Sequence, residues 1–124
     1  MAIQHAASGE VIDIRPLGDR LAGAVTRTLV KSDGLEVIRL VVPAGKLIPP
    51  HKVTGPITVQ CLEGGVEFSA HGQWQPLGPG HMLHLAGGEL HAVRGIVDSS
   101  VLVTIQLPPK SAAPGTTPPA TAVD

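Results

Sequence analysis

Fifteen glycines and twelve prolines are scattered through 124 residues. A glycine inside a helix costs about 1 kcal/mol relative to alanine and a proline about 3 kcal/mol, so a helical fold has no uninterrupted stretch to grow in. The longest segments free of both are residues 24–33 and 96–107. In the second, Val101, Val103, Ile105 and Leu107 recur at a period of two, with Thr104 and Gln106 between them. That alternation is the signature of a half-buried strand.

The rest of the chain reads the same way. Residues 36–42 are β-branched and stop at Pro43-Ala-Gly45. Residues 57–62 alternate Ile57, Val59 and Cys61 with Thr58, Gln60 and Leu62; Glu63-Gly-Gly65 turns, and residues 66–69 return. This is a hairpin pattern. Further strands are predicted around Trp74 and over residues 82–85 and 90–94, separated by turns at residues 70–72, 77–80 and 86–89. Residues 11–14 and 26–30 supply two more upstream. Eight or nine short strands predict a sandwich or barrel, an architecture that also hides strand edges.

Composition bounds the rest. Hydrophobic residues make up 43% and charged residues 15%, against about 25% charged in an average globular chain, so the sequence can bury a core. Nine basic residues face ten acidic ones, a net charge of −1, and Phe68 and Trp74 are the only aromatic residues. Neither the electrostatic footprint nor the stacking platform of a nucleic-acid binder is present. No apolar run approaches the roughly 18 residues that span a bilayer, so a membrane partner is not expected. The first residues lack the basic and apolar regions of a secretory signal. The single cysteine, Cys61, excludes an internal disulfide. A reduced, cytoplasmic setting is the expectation. Residues 1–9 are expected to be a flexible N-terminus and residues 10–107 one barrel domain. Residues 108–124, with five prolines among Ala, Thr and Gly, are expected to form a disordered tail.

The segment from Pro43 to Val93 resembles the cupin family through both of its motifs. The first is similar to Gly45-Lys-Leu-Ile-Pro-Pro-His51-Lys-Val53-Thr-Gly-Pro-Ile57, running on to Cys61-Leu-Glu-Gly64. The second is similar to Gly78-Pro-Gly80-His-Met-Leu-His84-Leu-Ala-Gly-Gly-Glu-Leu-His91. The resemblance implies an all-β fold, an antiparallel jelly-roll β-barrel, and assembly as a homodimer. It also implies a metal site built from a His-x-His pair, a later Glu and a final His. Here His51 and His91 hold the outer positions, while Val53 and Ile57 stand where the inner ligands would be.

That substitution leaves three readings open. In the first, one divalent transition metal (iron, manganese, nickel, copper or zinc) is held by His51 and His91 with a third ligand such as His84, and serves an oxygenase or isomerase. Imidazole suits all of these ions. In the second, the barrel holds no metal and binds a small molecule, with Val53, Ile57, Val59 and Cys61 lining the pocket. In the third, the domain is a dimeric sensory or interaction module. Cys61 also reads as a small buried hydrophobe. Glu63 reads as an exposed turn residue, Trp74 as hairpin packing or a dimer contact, and His5, His71 and His81 as solvated surface. Gly78-Pro-Gly80 is no phosphate loop, since neither a lysine nor a helix follows it.

Overall fold

A computed structural model describes residues 5–108. The expectations for residues 1–4 and for the tail from residue 109 onward lie outside the described residues. Among the described residues, nine strands form two antiparallel sheets that pack face to face. The strands are β1 (Arg27–Lys31), β2 (Leu35–Val42), β3 (Leu47–His51), β4 (Ile57–Glu63), β5 (Val66–Ala70), β6 (Gln73–Leu77), β7 (Met82–Leu85), β8 (His91–Gly95) and β9 (Ser99–Gln106). The larger sheet runs in the order β1-β2-β9-β4-β7, the smaller in the order β3-β8-β5-β6. The one described helical element is a single 3-10 turn at Gly18–Arg20.

The alternation seen in the sequence is the alternation of burial. β4 buries Ile57, Val59 and Cys61, and β5 buries Val66, Phe68 and Ala70. With Val42, Leu77, Leu85, Val93 and Val101 they form the core between the sheets. Period-two side chains allow a strand to bury one face only, so these residues fix which face of each sheet turns inward. The turn after β4 needs a glycine. Gly64 has a positive φ of 84°, and a Cβ there would overlap Asp98 and Ser99.

One strand expectation is corrected, and one strand is present that the sequence pattern does not announce. Residues 11–14 form no strand. They run irregularly over the outer face of the larger sheet, with Val11 93% exposed. They find no ladder partner, and the carbonyl of Asp13 is spent instead on the Arg39 side chain. Conversely, Leu47–His51 forms β3 in spite of Pro49 and Pro50. Proline cannot donate to a ladder, but β3 is the edge of its sheet and pairs on one side only, with β8. At the N-terminus the chain already engages β1 at Ala6, whose N–H donates to the Leu29 carbonyl at 2.8 Å.

Candidate functional site

The β3–β8 pairing builds the site. Ile48 lies opposite Val93, and His51 lies opposite His91. Between these pairs β3 advances by three residues while β8 advances by two, a bulge at Pro49-Pro50. Strict alternation would send Ile48 and His51 to opposite faces. The extra residue turns both toward the barrel interior. Ring centroids of His51 and His91 then lie 4.3 Å apart, with the planes tilted by 59°. On its other side His91 stacks on Phe68 at 5.5 Å, nearly parallel at 9°. His91 is buried, whereas His51 is exposed at the mouth.

Both imidazoles are oriented by backbone carbonyls. Nδ1 of His51 lies 3.0 Å from the Pro49 oxygen, and Nδ1 of His91 lies 2.9 Å from the Glu89 oxygen. A carbonyl only accepts, so the network assigns the proton of each neutral ring to Nδ1 and leaves the Nε2 lone pair unused. Burial pushes the His91 pKa below the ordinary histidine value. The bond to Glu89 opposes that shift, and the nearby His51 adds to it. His91 is therefore a neutral hydrogen-bond acceptor at pH 7.

The rings face a cavity of about 130 Å³. The larger sheet supplies Ile38, Leu40, Ile57, Val103 and Ile105 to its wall. Ile48, Phe68 and Val93 from the smaller sheet complete it, with Val53 from the loop after β3. That loop is clamped to its neighbour: Gly88 N–H donates to the Val53 carbonyl at 2.8 Å, and a Cβ at Gly87 would overlap the Thr54 carbonyl.

Of the residues singled out from the sequence, His51, His91, Val53 and Ile57 meet at this cavity. Val59 and Cys61 do not line it. Both face inward but lie in the packed core, each 1% exposed. The Cys61 thiol is raised by burial and donates to the Glu63 carbonyl at 3.5 Å. His84 does not join the pair. It lies opposite Thr58 and is exposed on the outer face, because its neighbours Leu83 and Leu85 take the inward positions of β7. Its Nδ1 lies 3.2 Å from the Ile57 carbonyl. No group of three or more His, Cys, Asp or Glu side chains able to hold a metal occurs among the described residues.

Glu63 was expected in solvent and is instead nearly buried, its side chain 12% exposed. Its carboxylate accepts from the N–H groups of Leu17 and Gly18, at 2.9 and 3.1 Å, and from the Ser100 hydroxyl at 2.7 Å. It also lies 3.9 Å from the buried Arg39 guanidinium. Burial raises its pKa, but the bonds from Leu17, Ser100 and Gly18 outweigh that and leave it below the ordinary value. The register shift between Cys61 and Glu63 puts Glu63 on the outer face beside Ser100. No strand-period argument reveals that turn. An acidic residue just before Gly-Gly was the only signal.

No protein-family model matches the sequence, and neither does any curated protein. Solved structures do match. A conserved protein of unknown function from Streptococcus pyogenes aligns with a TM-score of 0.67 at 21% identity, over 87% of this chain and 96% of its own. A cupin superfamily protein from Desulfitobacterium hafniense gives 0.67 at 17% identity, over 79% and 95%. An RmlC-like cupin protein from Desulfovibrio desulfuricans gives 0.61 at 28% identity, over 66% and 80%. The fold is the cupin jelly roll.

Proposed function

We propose that this small cupin barrel is a metal-independent binding site for a compact apolar molecule carrying one hydroxyl or comparable hydrogen-bond donor. One observation carries the reading. Two imidazoles with their Nδ1 protons committed to carbonyls are, among the described residues, the only polar side chains on an otherwise hydrocarbon cavity. Pockets of this kind bind through apolar area and use a few polar groups to orient the ligand. The size is close to the roughly 150 Å³ that accommodates benzene in an engineered core cavity, so a single ring with a hydroxyl is of the right scale. The neutral His91 Nε2 complements a hydrogen-bond donor and offers an anionic head no proton to accept.

The donor set does not suit a resident divalent metal. Catalytic zinc sites use three protein ligands. Here the positions facing the two imidazoles carry Val53 and Ile57, which have no lone pairs. His84, the reserve ligand, is on the far side of the sheet from the cavity.

The test is calorimetry on untagged protein with phenol, cyclohexanol and benzene, together with elemental analysis of the protein as purified. Phenol is expected to bind about tenfold or more tighter than benzene, the scale of one buried hydrogen bond. His91→Leu should erase that difference while keeping benzene binding. Equal affinities for phenol and benzene in the wild type, absence of binding by either, or near-stoichiometric metal lost on His51→Ala would overturn the proposal.

A further inference from the structure

The outer face of the larger sheet carries a second feature, independent of the barrel. The β1–β2 register sets Arg27 directly opposite Arg39. Both point outward, since Ile38 and Leu40, on either side of Arg39, face the barrel cavity. Like charges directly opposed on two strands destabilise one another, so each guanidinium calls for a counter-charge. Arg39 has one. It is 6% exposed, donates to the carbonyls of Arg15 at 3.0 Å and Asp13 at 3.4 Å, and lies beside Glu63. Arg27 is exposed and makes no ion pair among the described residues. The same holds for Arg20, in the 3-10 turn.

Arg20 and Arg27 line one cleft of about 550 Å³ between the N-terminal segment and the β1–β2 hairpin. Leu17, Val25 and Leu29 supply apolar wall, and Arg15 and Arg39 also reach it. Among the described residues, the only carboxylate in the lining is Asp13. It is held by Arg15 through a fork, Nε at 3.0 Å and Nη2 at 2.9 Å. Glu63, behind Arg39, is saturated by Leu17, Gly18 and Ser100. A smaller adjoining cleft, which Arg27 also lines, contains Glu10, whose carboxylate accepts from the Ala7 N–H at 2.8 Å. With Asp13 set against Arg15 and Glu63 against Arg39, two guanidiniums remain without a partner in the larger cleft. The chain as a whole is at −1, so this is local asymmetry and not general basicity.

We infer that this cleft is a binding site for a small organic phosphate monoester, its phosphate between Arg20 and Arg27 and its apolar body on Leu17, Val25 and Leu29. A monoester carries about −1.5 to −2 charges at pH 7, which matches two uncompensated guanidiniums. The planar guanidinium presents paired N–H donors to phosphate oxygens in a geometry that lysine does not offer. The apolar wall gives the ester group an advantage over the free anion.

The experiment is calorimetry of the whole chain at fixed ionic strength with phenyl phosphate, inorganic phosphate and benzoate. Phenyl phosphate is expected to bind more tightly than either of the others and to weaken as salt is raised. Arg20→Gln with Arg27→Gln should weaken it about tenfold or more, and Arg27→Lys should weaken it by less. Both residues are exposed, so the unliganded variants should melt with the wild type. The arginine variants should bind phenol as the wild type does, and His91→Leu should bind phenyl phosphate unchanged, which separates this site from the barrel site. Equal phenyl phosphate affinity in wild type and double variant, no binding at millimolar ligand, or benzoate binding as tightly as phenyl phosphate would overturn the assignment.

Discussion

The two faces of β2 belong to one strand and solve opposite problems. Its inward residues Ile38, Leu40 and Val42 meet hydrocarbon and the pair of imidazoles. Its outward residue Arg39 is just as hidden, but it sits among carbonyls and beside a carboxylate. Burial on the inner side therefore rests on exclusion of charge, and on the outer side on compensation of charge. A buried ion that loses its partner costs more than the pair ever contributed, because the desolvation penalty remains. The inner face should reject a charge, and the outer face should fail when one is removed.

The most severe way to break this contrast is to put a carboxylate on the inner face. Ile57→Glu, at a position 4% exposed, is expected to cost more than about 4 kcal/mol at pH 7 in urea denaturation, with partial recovery at pH 4 as the carboxyl protonates. Combining it with Val53→His would place four potential ligands around the cavity. Zinc should then raise the melting temperature of the double variant and leave the wild type unmoved.

On the outer face, Glu63→Ala is expected to destabilise by about 3–5 kcal/mol, because Arg39 stays buried without its carboxylate and Leu17, Gly18 and Ser100 lose their acceptor. A loss below about 1 kcal/mol would show the network to be ordinary surface. The pH dependence separates the faces further. The Glu63 pKa is lowered on folding, so its contribution is complete above the unfolded value of 4.5 and vanishes as pH falls through the folded value. The His91 pKa is also lowered, but here the folded state disfavours the proton. Stability is complete above 6.5 and declines as pH drops toward the folded value, since only the unfolded state takes up the proton in that window. Stability curves of Glu63→Gln and His91→Leu should each lose one of these two segments and keep the other.

The smallest effect is reserved for a pair that is neither excluded nor buried. Arg94 donates from Nη2 and Nε to the same Oε1 of Glu67, at 2.6 and 3.1 Å, and lies 4.5 Å over the Trp74 ring, with both charged side chains part-exposed. Arg94→Ala should cost under about 1 kcal/mol, less still at high salt, in the same denaturation assay.

Eight of the nine strands are legible in the sequence because period-two burial writes itself into residue order. β3 is not, since Pro49 and Pro50 suppress every strand signal while edge position and the bulge make them admissible. Residues 11–14 look like a strand for the opposite reason: three of four are aliphatic, yet no ladder receives them. At the site, the inward parity of Cys61 follows from Ile57, but parity alone does not separate core from cavity wall. The orientation of His84 depends on the β4–β7 register, a long-range fact.

By itself the sequence determined the all-β character, the hairpins and the identity of the two imidazoles, because glycine, proline and alternation act locally. Their meeting was decided in three dimensions. An extra residue in an edge strand, the pairing of segments far apart along the chain, and a carboxylate turned back onto a buried arginine are products of sheet register. Register is set by the packing of the whole core, and no short window of residues contains it.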